Sequence, residues 1–346
     1  MALPLDGRAI NNILSSTLDA KLPEVYDLFF NTNALLLRLN QRARGGARTV
    51  RYRGGAEIRT PFIYAGMPAY GYGRGFTFGT GQKEFMTDLQ FDWKRAAVEI
   101  NKDHMDVRKN AGDEVQLIDY AETLAENASN SLFDRLGYQI YGTKPNTAGV
   151  AVANTTPTVD PDTGAPIFDG LYNGVLDTGV YGGITRGGSL GDPGFAIKAN
   201  VNAAVAVPLS LSLLQQGFGA ATFGNTTPDL GVTTQKLWND LWNRVQPQDR
   251  NPPGPLRDVG FRTINMNGAE IIVDSHQLAG SFHWLNTEYI QLWLMDGVDF
   301  IRRGAEYGKE GFPIPNQDAF VDQLIVYGDL IVTGPRYQSV ITGILE

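Results

Sequence analysis

Asp274-Ser275-His276 holds the residue types of a nucleophilic hydrolase: a carboxylate to orient, a hydroxyl to attack, an imidazole to carry the proton. The three are consecutive, however, and successive side chains of a strand point to opposite faces, so neighbours of this kind seldom converge. No Gly-x-Ser-x-Gly elbow accompanies them. The other histidines, His104 and His283, bring no nucleophile with them. These residues are therefore read as strand ends or turns, and no catalytic residue is expected. A hydrolase built on Asp274, Ser275 or His276 is the weakest of the readings, and loss of an activity on His276→Ala would be its required observation.

Phosphate and metal chemistry is no better served. Gly71-x-Gly73-x-Gly75 has the wrong spacing for a dinucleotide fingerprint and opens no helix. Gly79-Thr80-Gly81-Gln82-Lys83 lacks the full phosphate-loop spacing and its hydroxyl residue. Asp160-Pro161-Asp162-Thr163-Gly164 is acidic, but Pro161 and the missing distal glutamate make it a turn rather than a calcium loop. The chain has no cysteine, which excludes disulfides and thiolate metal sites. No cofactor and no metal are expected.

What remains is a chemistry of surfaces. Residues 66–85 string Tyr70, Tyr72, Phe76, Phe78 and Phe85 between Gly71, Gly73, Gly75, Gly79 and Gly81. Phe85, Leu89, Phe91 and Trp93 then alternate with mainly polar residues, the period of a strand. Gly79-Thr80-Gly81 marks a turn, so 54–98 reads as an extended hairpin. A two-stranded hairpin is marginal in water, and a large apolar arm usually has a partner. Tyr70, Tyr72, Phe76, Phe78, Lys83 and Phe85 are the candidate contacts to a neighbouring subunit.

The charge is uneven. The net charge is −8, yet residues 1–60 hold nine basic against five acidic residues, +4, which leaves −12 for the rest. Arg38, Arg42, Arg44, Arg48, Arg51, Arg53 and Arg59 fall together with only Glu57 among them. Guanidinium forks suit carboxylate and phosphate, so this belt is read as contacting an acidic neighbour first and nucleic acid second.

The elements around these features describe an α+β protein. Hydrophobic residues make up 42% of the 346, enough for a core of two modest domains. Short helices are expected at about 8–19 and 22–39, and a strand at 49–53. The strongest helix is 113–141, where Ile118, Ala121, Ala125, Ala128, Leu132, Leu136 and Ile140 recur at three or four residues. Glycine and threonine dominate 142–200. A helix from Pro208 to Gln216 closes at Gly217, a buried strand covers 228–232, and Thr233–Val245 is a helix whose Trp238 and Trp242 are core. Strands follow at 259–266, 270–273, 282–285 and 290–295. A closing hairpin of 323–331 and 337–344 turns at Gly334-Pro335. No run approaches the ~18 apolar residues of a membrane span, and MALPLDGRAI has no signal-peptide pattern.

The order of basic arm, long hairpin, long helix, αβ unit and closing strands resembles the major capsid proteins of tailed bacteriophages, the Hong Kong ninety-seven type. Several runs carry the likeness: Asn130-Ser131-Leu132-Phe133-Asp134 leading to Tyr141-Gly142, and Gly170-Leu171 leading to Tyr181-Gly182-Gly183-Ile184. Pro228-Asp229-Leu230 before the Trp238 helix, Val273-Asp274-Ser275-His276 before Leu285-Asn286-Thr287, and Asp329-Leu330 before Pro335-Arg336 complete it. The resemblance implies an N-terminal arm (1–53) and an extended loop (54–98). It further implies a peripheral domain (99–160 and 290–346) with a spine helix at 113–141, and an axial domain (161–289). Its function would be to self-assemble, as hexamers and pentamers, into the icosahedral head around double-stranded DNA. Assembly would occur in the bacterial cytoplasm, with a separate scaffolding protein, a portal, possible decoration proteins and no large N-terminal cleavage. An encapsulin-type compartment shares the implied fold and is the alternative. In some members a loop lysine is cross-linked; Lys83 is the candidate position, with an ordinary surface lysine the plainer reading.

Overall fold

The computed structural model describes residues 35, 49–52, 54–67, 69–77, 79, 81, 83–103, 105, 114–146, 151–153, 159–160, 162–245, 264–296, 301–302, 312–313 and 319–345. The helices expected at 8–19 and, apart from Leu35, at 22–39 lie outside these residues, as do His104, Phe78 and Arg38, Arg42, Arg44, Arg48 and Arg53. From β1 (Thr49–Tyr52) the chain enters a hairpin, β2 (Ile58–Ile63) and β3 (Met86–Phe91), then β4 (Lys94–Asp103) and the long helix α1 (Glu114–Tyr141). Next come β5 (Thr143–Pro145), β6 (Ala151–Ala153), α2 (Gly170–Gly174), β7 (Val180–Tyr181), β8 (Ile184–Thr185) and α3 (Pro193–Ala196). They lead to β9 (Asn200–Pro208), α4 (Leu211–Ala221), β10 (Leu230–Thr233) and α5 (Gln235–Val245). The rest is strand-rich: β11 (Ile264–Met266), β12 (Ala269–Val273), β13 (Phe282–Leu285), β14 (Ile290–Met295), β15 (Ile301–Arg302), β16 (Phe312–Pro313), β17 (Ala319–Val332) and β18 (Ser339–Leu345).

The first sheet is built on β17. Its antiparallel partners are β4, from Ala319↔Asp103 to Gly328↔Lys94, β14, from Ile290↔Val332 to Leu294↔Gly328, and the short β15 and β16. Strand β1 extends it in parallel beyond β14. From Leu324 to Val332 β17 is a nearly continuous buried run, as a strand covered on both faces must be. The apolar stripe of α1 supplies cover: Leu132, Phe133, Leu136 and Ile140 share one core with Leu292, Leu324, Val326 and Leu330. The helix begins within one residue of its expected start, and the described part of its stripe is buried where the period places it.

The second sheet has the order β11-β12-β10-β13-β18-β9. Helices α4 and α5 cover it, joining Leu214, Leu237, Trp238 and Leu241 to Ile271, Phe282, Trp284 and Ile341. Trp238 is buried in the core as expected and stacks at 5.4 Å on Trp242, which is half-buried and packs against that core from its edge. The expected closing hairpin does not form. β17 lies in the first sheet, while β18 is inserted between β13 and β9 of the second. Strand periodicity identifies both segments but carries no record of which sheet receives them.

Helix α4 also differs from expectation. Pro208 ends β9, and the helix starts after Ser210, whose hydroxyl accepts from the Leu213 N–H at 3.2 Å. Gly217 does not close the helix. It sits inside it, where a β-carbon would come within 2.9 Å of Ile341 and 3.1 Å of Trp284. Close packing on the sheet, not a turn, demands that glycine. Ser210→Ala should destabilise the chain by about 1 kcal/mol through the lost cap, read as a lower denaturation midpoint with an unchanged denaturant slope.

Candidate assembly surface

The hairpin grows from a buried root. Ile58, Phe62, Leu89 and Phe91 point inward to the first core, which also holds Leu35. Tyr52 ties the root to the first sheet, its ring 6.3 Å from Trp93 and 6.0 Å from Trp293. The Trp93 indole donates to the Gly55 carbonyl at 3.0 Å. The ladder runs from Ile58↔Phe91 to Ile63↔Met86, and the Tyr64 N–H donates to the Phe85 carbonyl at 3.0 Å just beyond it. Hydrogen-bonded and non-bonded pairs alternate in an antiparallel ladder, so Pro61, opposite Asp88, falls at a non-bonded position and its missing N–H costs nothing.

Regular pairing ends there, well short of the turn expected at Gly79-Thr80-Gly81. The described residues between 65 and 85 form an irregular tip rather than strands. In that tip Tyr70, Tyr72 and Phe76 are 55%, 70% and 44% exposed, and Tyr70 meets Phe76 at 5.8 Å. Lys83 is exposed and Phe85 half-buried. A β-carbon at Gly66, Gly71, Gly73, Gly79 or Gly81 would touch nothing within 4 Å, and none of these five is left-handed. Neither backbone conformation nor crowding within the chain demands glycine there.

Apolar residues missed in the sequence extend this surface. Ile63 and Met86 pair across the ladder end on its outer face, both largely exposed. The signal was available: each is apolar at an outward position of an alternating strand. Beside the hairpin root a cavity of about 370 Å³ is lined by Phe62, Ile63, Leu190, Phe195, Phe223 and Tyr337 among others. The Arg336 guanidinium covers its wall, 4.7 Å from the Phe195 ring centre. Of the arginine belt, Arg51 and Arg59 are described. Both are exposed, and Arg59 pairs with Glu57 at 3.1 Å.

The residues tested for catalysis are placed differently. Asp274 and His276 do meet, because they lie in the turn after β12 and not in a strand. The imidazole Nδ1 is 2.9 Å from one oxygen of Asp274, and Nε2 is 3.0 Å from Asp134 of α1. Ser275 is exposed. With a carboxylate on each ring nitrogen, His276 has no nitrogen left to take a proton from a serine. His283 is buried, and burial pushes its pKa down to about 4. Asp160 closes its turn by accepting from the Asp162 and Thr163 N–H groups, and Arg135 of α1 binds Asp160 at 3.2 Å and Asp162 at 2.9 Å. Burial opposes ionisation of Asp160, but Arg135 and the two backbone donors outweigh it and hold the pKa below the usual carboxylate value. Among the described residues no group of three or more metal-ligating side chains is assembled, and no helix is long and apolar enough to cross a membrane.

No protein-family model matches the chain, and no curated protein matches it. Solved structures do. A chain of the cyanophage A-1(L) capsid asymmetric unit is 13% identical and superposes with a TM-score of 0.61, covering 86% of this chain and 90% of its own. The capsid of a native GTA particle gives 8% identity and 0.54 over 88% and 90%. A chain of Gordonia phage Cozz gives 12% and 0.52 over 87% and 85%. At such low identity the likeness speaks to architecture, and it extends over nearly the whole chain: the protein has the α+β fold of tailed-phage major capsid proteins.

Proposed function

We propose that this chain is the repeating subunit of an icosahedral phage head that encloses double-stranded DNA. The observation that carries the proposal is the exposed aromatic tip of the hairpin, on a fold shared with capsid chains. Its Gly66, Gly71, Gly73, Gly79 and Gly81 answer no conformational or packing need of the single chain, and glycine is otherwise used where another backbone approaches closely. The tip residues Tyr70, Tyr72 and Phe76, with Phe78, Lys83 and Phe85, contact a neighbouring subunit in this reading. The arginines from Arg38 to Arg59 contact a neighbour or the packaged DNA. Subunits join as hexamers and pentamers in the host cytoplasm, helped by a separate scaffolding protein and completed by a portal and, where present, decoration proteins. Obligate interfaces of this kind bury on the order of 2,000–5,000 Å², and many modest contacts made together fix the shell by avidity.

Electron microscopy of the purified chain, alone and co-expressed with its scaffold, tests the proposal. Closed shells or capsomer rings are expected, and a persistent monomer under both conditions would overturn it. Nuclease-resistant DNA in native particles separates a phage head from an encapsulin-type compartment.

A further inference from the structure

Helix α1 carries one glycine in its 28 residues, Gly137. Glycine inside a helix costs about 1 kcal/mol relative to alanine, so its place requires a reason. A β-carbon on Gly137 would lie 2.7 Å from two atoms of the His276 ring. The helix is notched at this point to seat an imidazole that arrives from the second sheet.

Once seated, the ring is held from both sides. Its Nδ1 faces Asp274 at 2.9 Å and its Nε2 faces Asp134 at 3.0 Å. The Tyr138 ring meets it edge-on at 4.7 Å. Asp274 is buried and firmly placed: one oxygen also accepts from the His276 backbone N–H at 3.0 Å, and the other accepts from the Tyr141 hydroxyl at 2.8 Å. The Thr143 hydroxyl donates to the His276 carbonyl at 2.8 Å. Asp134, by contrast, is 62% exposed.

We propose that His276 is a proton-operated clasp that joins the long helix of the first core to the second sheet. Carboxylate oxygens only accept, so both ring contacts are hydrogen bonds only when both nitrogens carry a proton. Loss of one proton leaves a nitrogen lone pair facing a carboxylate. Asp274 cannot leave, because Tyr141 and the backbone hold it. Asp134 can rotate into water, so the contact to the helix is the one that opens.

The sign of the pH dependence follows. Burial by itself lowers the pKa of His276, but the hydrogen bonds and charges of Asp274 and Asp134 outweigh it and raise the value above 6.5. The titratable groups that face the ring are Asp134 and Tyr138 from α1 and Asp274 from its own turn, with Tyr141 behind Asp274. A group whose pKa is raised on folding stabilises fully below its unfolded value and loses that contribution as pH rises through the folded one. The clasp therefore holds fully just below the ordinary histidine value of 6.5, with both carboxylates still ionised, and opens as pH rises through the raised folded value. His283, beyond Tyr141, works in the opposite sense at lower pH, since its value falls to about 4.

The test uses the full chain and needs no assembly. Proton resonances of the imidazoles are followed from about pH 5 to about pH 9, with His276→Gln to assign the signal. Denaturation midpoints are compared at about pH 6 and about pH 9 for wild type, Asp134→Asn and His276→Gln. The expected result is a His276 midpoint above 6.5 that falls in Asp134→Asn, and a wild-type loss of stability toward alkaline pH that is reduced in Asp134→Asn and lost in His276→Gln. Should His276→Gln fail to fold, the exposed Asp134→Asn still decides. A His276 midpoint unmoved by Asp134→Asn, or a wild-type pH dependence equal to that variant's, overturns the proposal.

Discussion

Serine at Tyr70, Tyr72 and Phe76 together should abolish shell formation while leaving the subunit folded and soluble. All three rings are substantially exposed in the single chain, so their loss removes little that holds the monomer together. Surface changes away from caps and buried networks usually stay within about 0.5 kcal/mol. In the assembled particle the same rings would be buried against a neighbour, each contributing roughly 1.5–3 kcal/mol. That loss is repeated at every subunit, and avidity multiplies it. The measurement is paired: thermal unfolding of the isolated variant, and electron microscopy of the variant co-expressed with its scaffold. An unfolding temperature close to wild type without shells is the expected result. Normal shells would remove the tip from the interface, whereas a collapsed unfolding temperature would mean that the rings serve the monomer after all.

The sequence made this surface legible in part, for an identifiable reason. Aromatics in a glycine-rich, weakly patterned run have no period to follow inward, and exposure of Tyr70, Tyr72 and Phe76 is the outcome. Phe85 differs because it lies at the mouth of the ladder, where its carbonyl accepts from Tyr64 and its side chain is half-buried. Strands β13 and β14 match their expected bounds, 282–285 and 290–295, since dense aromatic and large apolar residues and a turn between them leave little choice. The arrangement of sheets was not legible. Nothing local in Ser339–Leu345 distinguishes pairing with β17 from insertion between β13 and β9; the contacts that decide it are long-range. The same holds for Gly137 and His276. Each is ordinary in its own segment, and only the approach of sheet to helix gives the pair meaning.

Lys102→Met should be among the most destabilising single changes in the first sheet, at about 3–5 kcal/mol, because it strands a buried carboxylate. The Lys102 ammonium lies 3.0 Å from Asp322, with side chains 7% and 0% exposed. Lys102 is opposite Phe320 in the ladder, so Asp322 is its diagonal neighbour on β17. Against a typical total of about 5–15 kcal/mol, the loss would leave much of the population unfolded on mild heating. Replacing both residues, as Lys102→Met with Asp322→Leu, removes the charge along with its partner and should recover most of the loss. Buried ion pairs often give way to apolar groups at little cost. A double-mutant cycle on denaturation midpoints measures the coupling, and additive single costs would mean that the pair is not the unit that matters. Both this change and the tip substitutions should end with no shells, but through different links of one chain of causes. The first removes the sheet on which helix and hairpin are mounted, so the monomer fails before assembly is attempted. The second leaves that platform intact and removes only what it presents to a neighbour.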